Sequence, residues 1–381
     1  MRIPFAFLLA ALFANLAAAQ QTEFKVGTWN LEFLGAGGNY RENLPPRTDA
    51  DLAAIGKKVH ELGVCVLAVQ EINDEATLQK VATGAGPSWV AMLGTSGGWD
   101  DGKTAQRIGF LYDRAAVELL YAAELLTLPR EFESASIFHR VPVTACFQHK
   151  ASGADFRLVT VHLKAGRKAD DEKKRRGEST LLAGWIDQLL ASASEDHDVI
   201  LLGDFNSTYG TQPQQAFESQ QHMHYLRQRQ AMPTIMHFAD PIDQVVVADS
   251  CSEVVRDSLA VDNDFDGMEK TAWRQIYSDH FPVTVTLRAN GDDDPDAKFA
   301  PGEASARLPV ASRPATAATA TATAGGLPKP GDRIEVSTVH EGVLVGTLLR
   351  ALPENGQGWL LLDQNGPMAI PMHNVRMIRA R

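Results

Sequence analysis

The sequence predicts an α/β body followed by a small all-β module, and three observations carry that expectation. Apolar runs of strand length recur between residues 24 and 288, and Val64 to Val69 is continuous enough for an interior strand. Between such runs, Asp49 to Leu62 places Leu52, Ile55, Val59 and Leu62 on one helical face. From Ala289 to Pro330 the chain turns to Asp, Pro, Ala, Thr and Gly, with nothing periodic to bury.

In order, Phe24 to Leu31 reads as a strand, followed by the helix just named, the interior strand and a helix over Glu75 to Ala82. A glycine-rich loop covers Gly94 to Gly102. Further strands are expected over Ile108 to Tyr112, Val141 to Phe147, Arg157 to Leu163, Val199 to Leu202, Ile242 to Val247 and Pro282 to Leu287, with a helix over Glu178 to Leu190. After the linker, RIEVSTV, GVLVGTLL, GWLLLD, PMAIPM and VRMI, punctuated by ENG and QNG, predict a small SH3-like β-barrel. The expected domain plan is a signal peptide over 1–19, a catalytic body over 20–288, a linker over 289–330 and the barrel over 331–381.

The export signal rests on Arg2, the apolar stretch Ile3 to Leu16 and the small residues Ala17-Ala18-Ala19 before Gln20. That stretch falls short of the ~20 apolar residues a bilayer span needs, so a secreted protein, periplasmic or extracellular and without a membrane span, is expected. At 381 residues with 44% hydrophobic side chains, the chain can bury a sizeable core. Cys65, Cys146 and Cys251 permit one disulfide at most and lack metal or redox spacing; Cys65 and Cys146 read as buried thiols. A net charge of −11 removes the general attraction for nucleic acid that a basic protein has. Binding a polyanion would then need a local basic patch or a bound cation.

Short polar motifs stand at the ends of the apolar runs: TWNLE with Asn30, AVQE with Glu71, VTVHLK with His162, LLGDFN with Asp204 and Asn206, IDQVVV with Asp243, and SDHFPV with Asp279 and His280. If the runs are strands, these groups can converge on one cleft, and carboxylates, amides and two histidines suit a metal-assisted phosphate site. Hydrolysis of a phosphodiester needs a water deprotonated and a leaving alkoxide protonated, which His162 and His280 can do near neutral pH. Asp204 and Asn206 would orient the water and hold phosphate oxygens. Taken singly each has a plainer reading: Glu71 as a strand-end charge, Asp204 as a turn carboxylate, Asn206 as an Asx-turn residue. The complete set outweighs those readings.

In this order and at these separations, WN, QE, GDFN and SDHFPV resemble the endonuclease/exonuclease/phosphatase superfamily, whose secreted members include pancreatic-type deoxyribonucleases. The resemblance covers about residues 24 to 288. It implies a four-layer α/β/β/α sandwich of two mixed sheets, with Mg2+ (or Mn2+ or Ca2+) held by Asn30, Glu71 and Asp279. It also implies that Asp243 holds His280 and that Arg140, in the Arg-x-Pro motif of HRVPV, binds the phosphate through its guanidinium fork. Three departures stand out. Gln106 replaces a glutamate that supports the first histidine, so His162 would be oriented by an amide and its acid role is weakened. The small disulfide loop of those enzymes is missing, and Glu32 stands where they have an arginine that contacts DNA.

The expected function is a monomeric, secreted, metal-dependent phosphodiesterase, a nuclease hydrolysing extracellular DNA by in-line attack of water. The alternatives are a lipid or small-molecule phosphodiesterase or phosphatase of the same superfamily, and a non-catalytic adhesion protein whose barrel binds a partner. Two stretches remain open. Lys164 to Arg176 holds seven basic and three acidic residues and reads either as a cleft wall for a polyanion or as a solvated loop. Asp262 to Gly267 begins like a calcium loop, but twelve-residue counting puts Trp273 at the glutamate position, leaving an improvised site or a flexible acidic loop.

Overall fold

The computed structural model describes residues 23–35, 41, 44–98, 104–193, 195–219, 222–289 and 306–307, and five strands between 333 and 380. The export segment expected over 1–19, most of the 289–330 linker and residues 99–102 of the glycine-rich loop lie outside the described residues. Among the described residues no helix is long and apolar enough to cross a membrane. The chain divides into two units, Met1–Leu308 and Pro309–Arg381.

The first unit begins β1 (Glu23–Leu34), α1 (Asp49–Glu61), β2 (Val64–Ile72), α2 (Glu75–Ala85), β3 (Trp89–Leu93), β4 (Arg107–Asp113) and β5 (Val117–Glu124). A two-residue hairpin, β6 (Glu131–Phe132) with β7 (Ala135–Ser136), precedes β8 (Val143–His149), β9 (Asp155–His162), α3 (Ala169–Leu190) and β10 (Val199–Asp204). The rest comprises α4 (Gln212–Glu218), β11 (Met223–Tyr225), β12 (Asp243–Ala248), β13 (Ala260–Val261), α5 (Lys270–Ile276), β14 (Val283–Arg288) and β15 (Ala306–Arg307). One sheet has the order β13-β14-β1-β2-β4-β3 and the other β11-β12-β10-β9-β8-β5-β15. Both are mixed: β1 and β2 run parallel across α1, and β9 and β10 run parallel across α3, as parallel neighbours require a crossover.

The period-two alternation of each strand sorts its side chains into layers. Ile200 and Leu202 of β10 join Val66 and Ala68 of β2 and Val245 and Val247 of β12 in the core between the sheets. Val199 and Leu201 face the other way, onto Leu182 and Ile186 of α3. Leu67 and Val69 of β2 face Leu52, Ile55 and Val59 of α1. The result is the four-layer α/β/β/α sandwich. All three cysteines are buried and free.

Local chemistry explains where the helices start. Thr48 caps α1 in a reciprocal box, its Oγ1 accepting from the Asp51 amide at 3.2 Å while Asp51 Oδ2 accepts from the Thr48 amide at 2.7 Å. Helix α3 begins at Ala169, well before the expected Glu178. Its first turns have no apolar period to betray them. They are supported instead by Asp170, Asp171 and Glu172 near the helix N-terminus and by a Lys174–Asp170 pair at 3.2 Å. Strands β3 and β5 also lack a predicted counterpart.

In the second unit β16 (Arg333–Thr338), β17 (Val343–Leu348), β18 (Trp359–Asp363), β19 (Pro367–Pro371) and β20 (Val375–Ala380) form an antiparallel sheet in the order β19-β18-β17-β16-β20. Ile334, Val336 and Leu348 are buried. Among the described residues no pairing joins β19 to β20, so the sheet is described without the barrel closure that the sequence predicted.

Candidate active site

Topology brings the motif residues to one rim of the sandwich. Strands β1, β2, β9 and β10 end there, while β12 and β14, antiparallel to their neighbours, begin there. Asp204 lies opposite His162 on one side and Asp243 on the other. Asn30 lies opposite Gln70, the residue before Glu71. Behind the rim, Gln70 Nε2 donates to Thr28 Oγ1 and to Thr160 Oγ1, both at 3.0 Å, and ties the two sheets together. Left-handed backbone collects here at non-glycine residues, with φ of 44° at Glu32, 49° at Phe33, 61° at Glu71 and 50° at Asn206. Such conformations cost about 1–3 kcal/mol each and persist where the surroundings impose them.

Asp204 is the hub. Its Oδ2 accepts from Asn30 Nδ2 at 3.0 Å and lies 3.5 Å from His162 Nε2 and 3.9 Å from His280 Nε2. Its Oδ1 accepts from the Asn206 amide at 2.8 Å, and Asn206 Nδ2 donates to Leu163 O at 3.1 Å. Asp243 Oδ2 and His280 Nδ1 are 2.8 Å apart, and Asp243 Oδ1 has no hydrogen-bond partner among the described residues. His280 Nε2 also faces Asp279 Oδ1 at 3.9 Å. Glu71 Oε1 lies 3.7 Å from His162 Nε2, and Oε2 accepts from the Phe33 amide at 3.2 Å. The predicted residues thus meet in one cluster, buried at Asn30, His162, Asp204, Asp243 and His280 and partly open at Glu71, Asn206 and Asp279.

The two histidines are held in opposite states. Burial, then Arg140 and His280, push His162 well below the ordinary imidazole value, so it is neutral. Burial acts against a charge on His280 as well, yet Asp243, Asp279 and Asp204 outweigh it and hold His280 well above that value. Asp204 is pushed up to about 7, by burial first and by Asp243 next. Burial also raises Glu71, with Asp279 adding to the effect and His280 opposing it. Four carboxylates, Glu71, Asp204, Asp243 and Asp279, thus face the cations His280, Arg140 and Arg274. That excess of oxygen-borne negative charge suits a hard divalent ion. Asn30 offers only part of its amide, since Oδ1 already accepts from the Glu32 amide at 2.9 Å.

Arg140 is placed differently from a simple phosphate ligand. Three of its N–H groups are engaged, donating to His162 O at 2.9 Å, Leu163 O at 2.9 Å and Gln106 Oε1 at 3.0 Å. It braces the strand end that carries His162, leaving only the remaining N–H groups for substrate. Gln106 therefore orients Arg140 and not His162, whose Nδ1 has no hydrogen-bond partner among the described residues. Arg140→Ala should destabilise the fold by about 1–3 kcal/mol, because it removes the donor to His162 O and Gln106 Oε1. A denaturant midpoint within error of the unaltered protein would remove Arg140 from that structural role.

Other residues enter that motif reading passed over. Ser278 Oγ donates to Asn30 O at 2.7 Å and accepts from the His280 amide at 3.0 Å, while Trp29 Nε1 donates to His280 O at 2.9 Å. Both lie inside the SDH and TWN motifs, where neighbouring residues carry the legible chemistry. Glu32 pairs with Arg274 at 2.6 Å and Arg41 at 3.3 Å, which offsets its buried charge. Arg274 also lies 3.8 Å from Asp279. The acidic run is tied down by a lysine: Lys58 Nζ is 2.9 Å from Asp262 and 3.1 Å from Asp266. His149 stacks on Phe24, with ring centroids 4.2 Å apart, and is structural.

Two packed sheets, flanking helices and a rim of histidines and carboxylates define a phosphoester hydrolase of the α/β sandwich class. The model of the Endonuclease/Exonuclease/phosphatase family matches residues 27–280, and the chain belongs to that family. Its members are phosphoester hydrolases that typically depend on a divalent metal. Among solved structures, the human Nocturnin catalytic domain with bound sulfate anion is similar at 14% identity and a TM-score of 0.52, over 70% of this chain and 95% of that one. An endonuclease/exonuclease/phosphatase from Bacteroides vulgatus is similar at 18% identity and a TM-score of 0.50, over 70% and 99%. No curated protein matches the chain.

Proposed function

We propose that the chain is a secreted, Mg2+-dependent phosphodiesterase, most specifically a nuclease that cuts extracellular DNA by in-line attack of water. The observation that carries this reading is Asp204 Oδ2 standing within 3.9 Å of both imidazole Nε2 atoms, with burial disfavouring the charged form of His162 and Asp243 favouring that of His280. Proton removal and proton delivery then have separate owners. Asp204, with its raised proton affinity, takes a proton from the attacking water, and neutral His162 is positioned to share it. His280, kept protonated by Asp243, donates from Nε2 to the leaving oxygen as the P–O bond breaks. In this reading His280, rather than His162, serves as the acid.

Asn206 orients the water and a phosphate oxygen, and Asn30 fixes Asp204. A divalent cation held by Glu71 and Asp279, with Asn30 adjacent, would neutralise a phosphate oxygen and the charge growing on the leaving oxygen. Export is supported by the signal-like residues 1–19. The role of the C-terminal sheet in anchoring substrate or surface is part of the same proposal. A panel of plasmid DNA, RNA, sphingomyelin and inositol phosphates with Mg2+ tests the substrate class. Turnover of DNA is expected; turnover of the lipid or inositol esters without DNA would overturn the nuclease reading.

A further inference from the structure

A cavity of about 570 Å3 opens beside Asn206, within the ~300–1,000 Å3 typical of ligand sites. Gly166, Arg167, Glu172, Thr208 and Phe238 line it together with that asparagine, through which it adjoins the proposed phosphate site. Phe238 is 36% exposed, and the Arg167 guanidinium lies over its ring at 4.7 Å from the centroid. The loop carrying Arg167 is braced from beneath by buried Arg175, whose Nη1 donates to Lys164 O and Gly166 O, both at 2.7 Å.

Four cations of the surrounding basic run are held in ion pairs. Lys164 pairs with Asp171, Lys174 with Asp170, and Lys173 and Arg176 with Glu133. Arg167 forms no ion pair among the described residues, and its contact is the aromatic ring. A planar cation laid on an exposed ring makes a stacking platform, and the edge of the same guanidinium carries the N–H fork that suits a phosphate.

We propose that this groove is a subsite for one unpaired nucleotide next to the scissile phosphodiester. Its base stacks on the Phe238–Arg167 platform and its flanking phosphate meets the guanidinium edge. The inference rests on the phosphodiesterase reading. It predicts that the enzyme distinguishes a single-stranded oligonucleotide from an abasic strand of the same length and charge.

The test measures kcat and KM on both strands for the unaltered protein, Phe238→Ala and Arg167→Ala. Phe238→Ala is expected to raise KM about ten-fold on the base-bearing strand and leave the abasic strand within about two-fold, with kcat little changed. Arg167→Ala should raise KM on both strands. Unchanged KM in Phe238→Ala, or an equal change on both strands, would overturn the subsite alone. Inactivity of the unaltered protein on both strands while it nicks plasmid DNA would overturn the subsite, and inactivity on plasmid as well would remove the nuclease reading with it.

Discussion

His280→Ala is expected to lower kcat on DNA by about 10²- to 10⁴-fold, the range associated with a positioned acid. Asp243→Asn should lose less, about 10- to 100-fold, because the imidazole stays in place and loses only the partner that orients and charges it. The pH profile separates the two roles. With Asp243 present the proton on His280 is held to higher pH than an ordinary imidazole would hold it, so activity should fall only as pH rises past that raised value. Removing the Asp243 charge lowers the His280 pKa and moves the alkaline limb of kcat/KM to lower pH. An unmoved limb in Asp243→Asn, or near-normal turnover in His280→Ala, would take His280 out of proton delivery.

The second large effect is expected at Glu71. Burial makes its charged form unfavourable, so its folded pKa is raised. A group of that kind diminishes stability as pH rises above its unfolded pKa, and at neutral pH the penalty is present. Glu71→Gln should therefore leave the metal-free melting temperature unchanged or higher. Mg2+ stabilises whatever state it binds, and Glu71→Gln should lose most of that gain and need at least about 10- to 100-fold more Mg2+ for half-maximal activity. Thermal melts and activity titrations across Mg2+ concentration check both halves. An unchanged Mg2+-dependent rise in melting temperature would mean that Glu71 does not hold the ion. This opposition between stability and chemistry is common where like charges are gathered for a purpose.

Much of this was legible in the chain. Val64 to Val69 proved an interior strand because both its faces are covered, and the register of β9, β10 and β12 follows from the same apolar alternation that places His162, Asp204 and Asp243 side by side. What escaped had no local signature. The first turns of α3 are charged on every side, so periodicity is silent and only helix-end electrostatics supports them. The three bonds of Arg140 reach Gln106, His162 and Leu163, and Glu32 meets Arg274 from the far end of the body. Contacts of that kind depend on how β1, β9 and α5 pack, which spacing does not reveal. The division of protonation between the histidines is likewise a product of burial and neighbours rather than of residue type.

The central claim is that these distant side chains form one metal-dependent site for phosphodiester hydrolysis. Its most direct measurement is the rate of plasmid nicking by the purified chain with Mg2+, after EDTA, and after Mg2+ is restored in excess. The account predicts nicking with the ion, its loss on chelation and its return. Nicking that is indifferent to EDTA, or none under any of the three conditions, would contradict it.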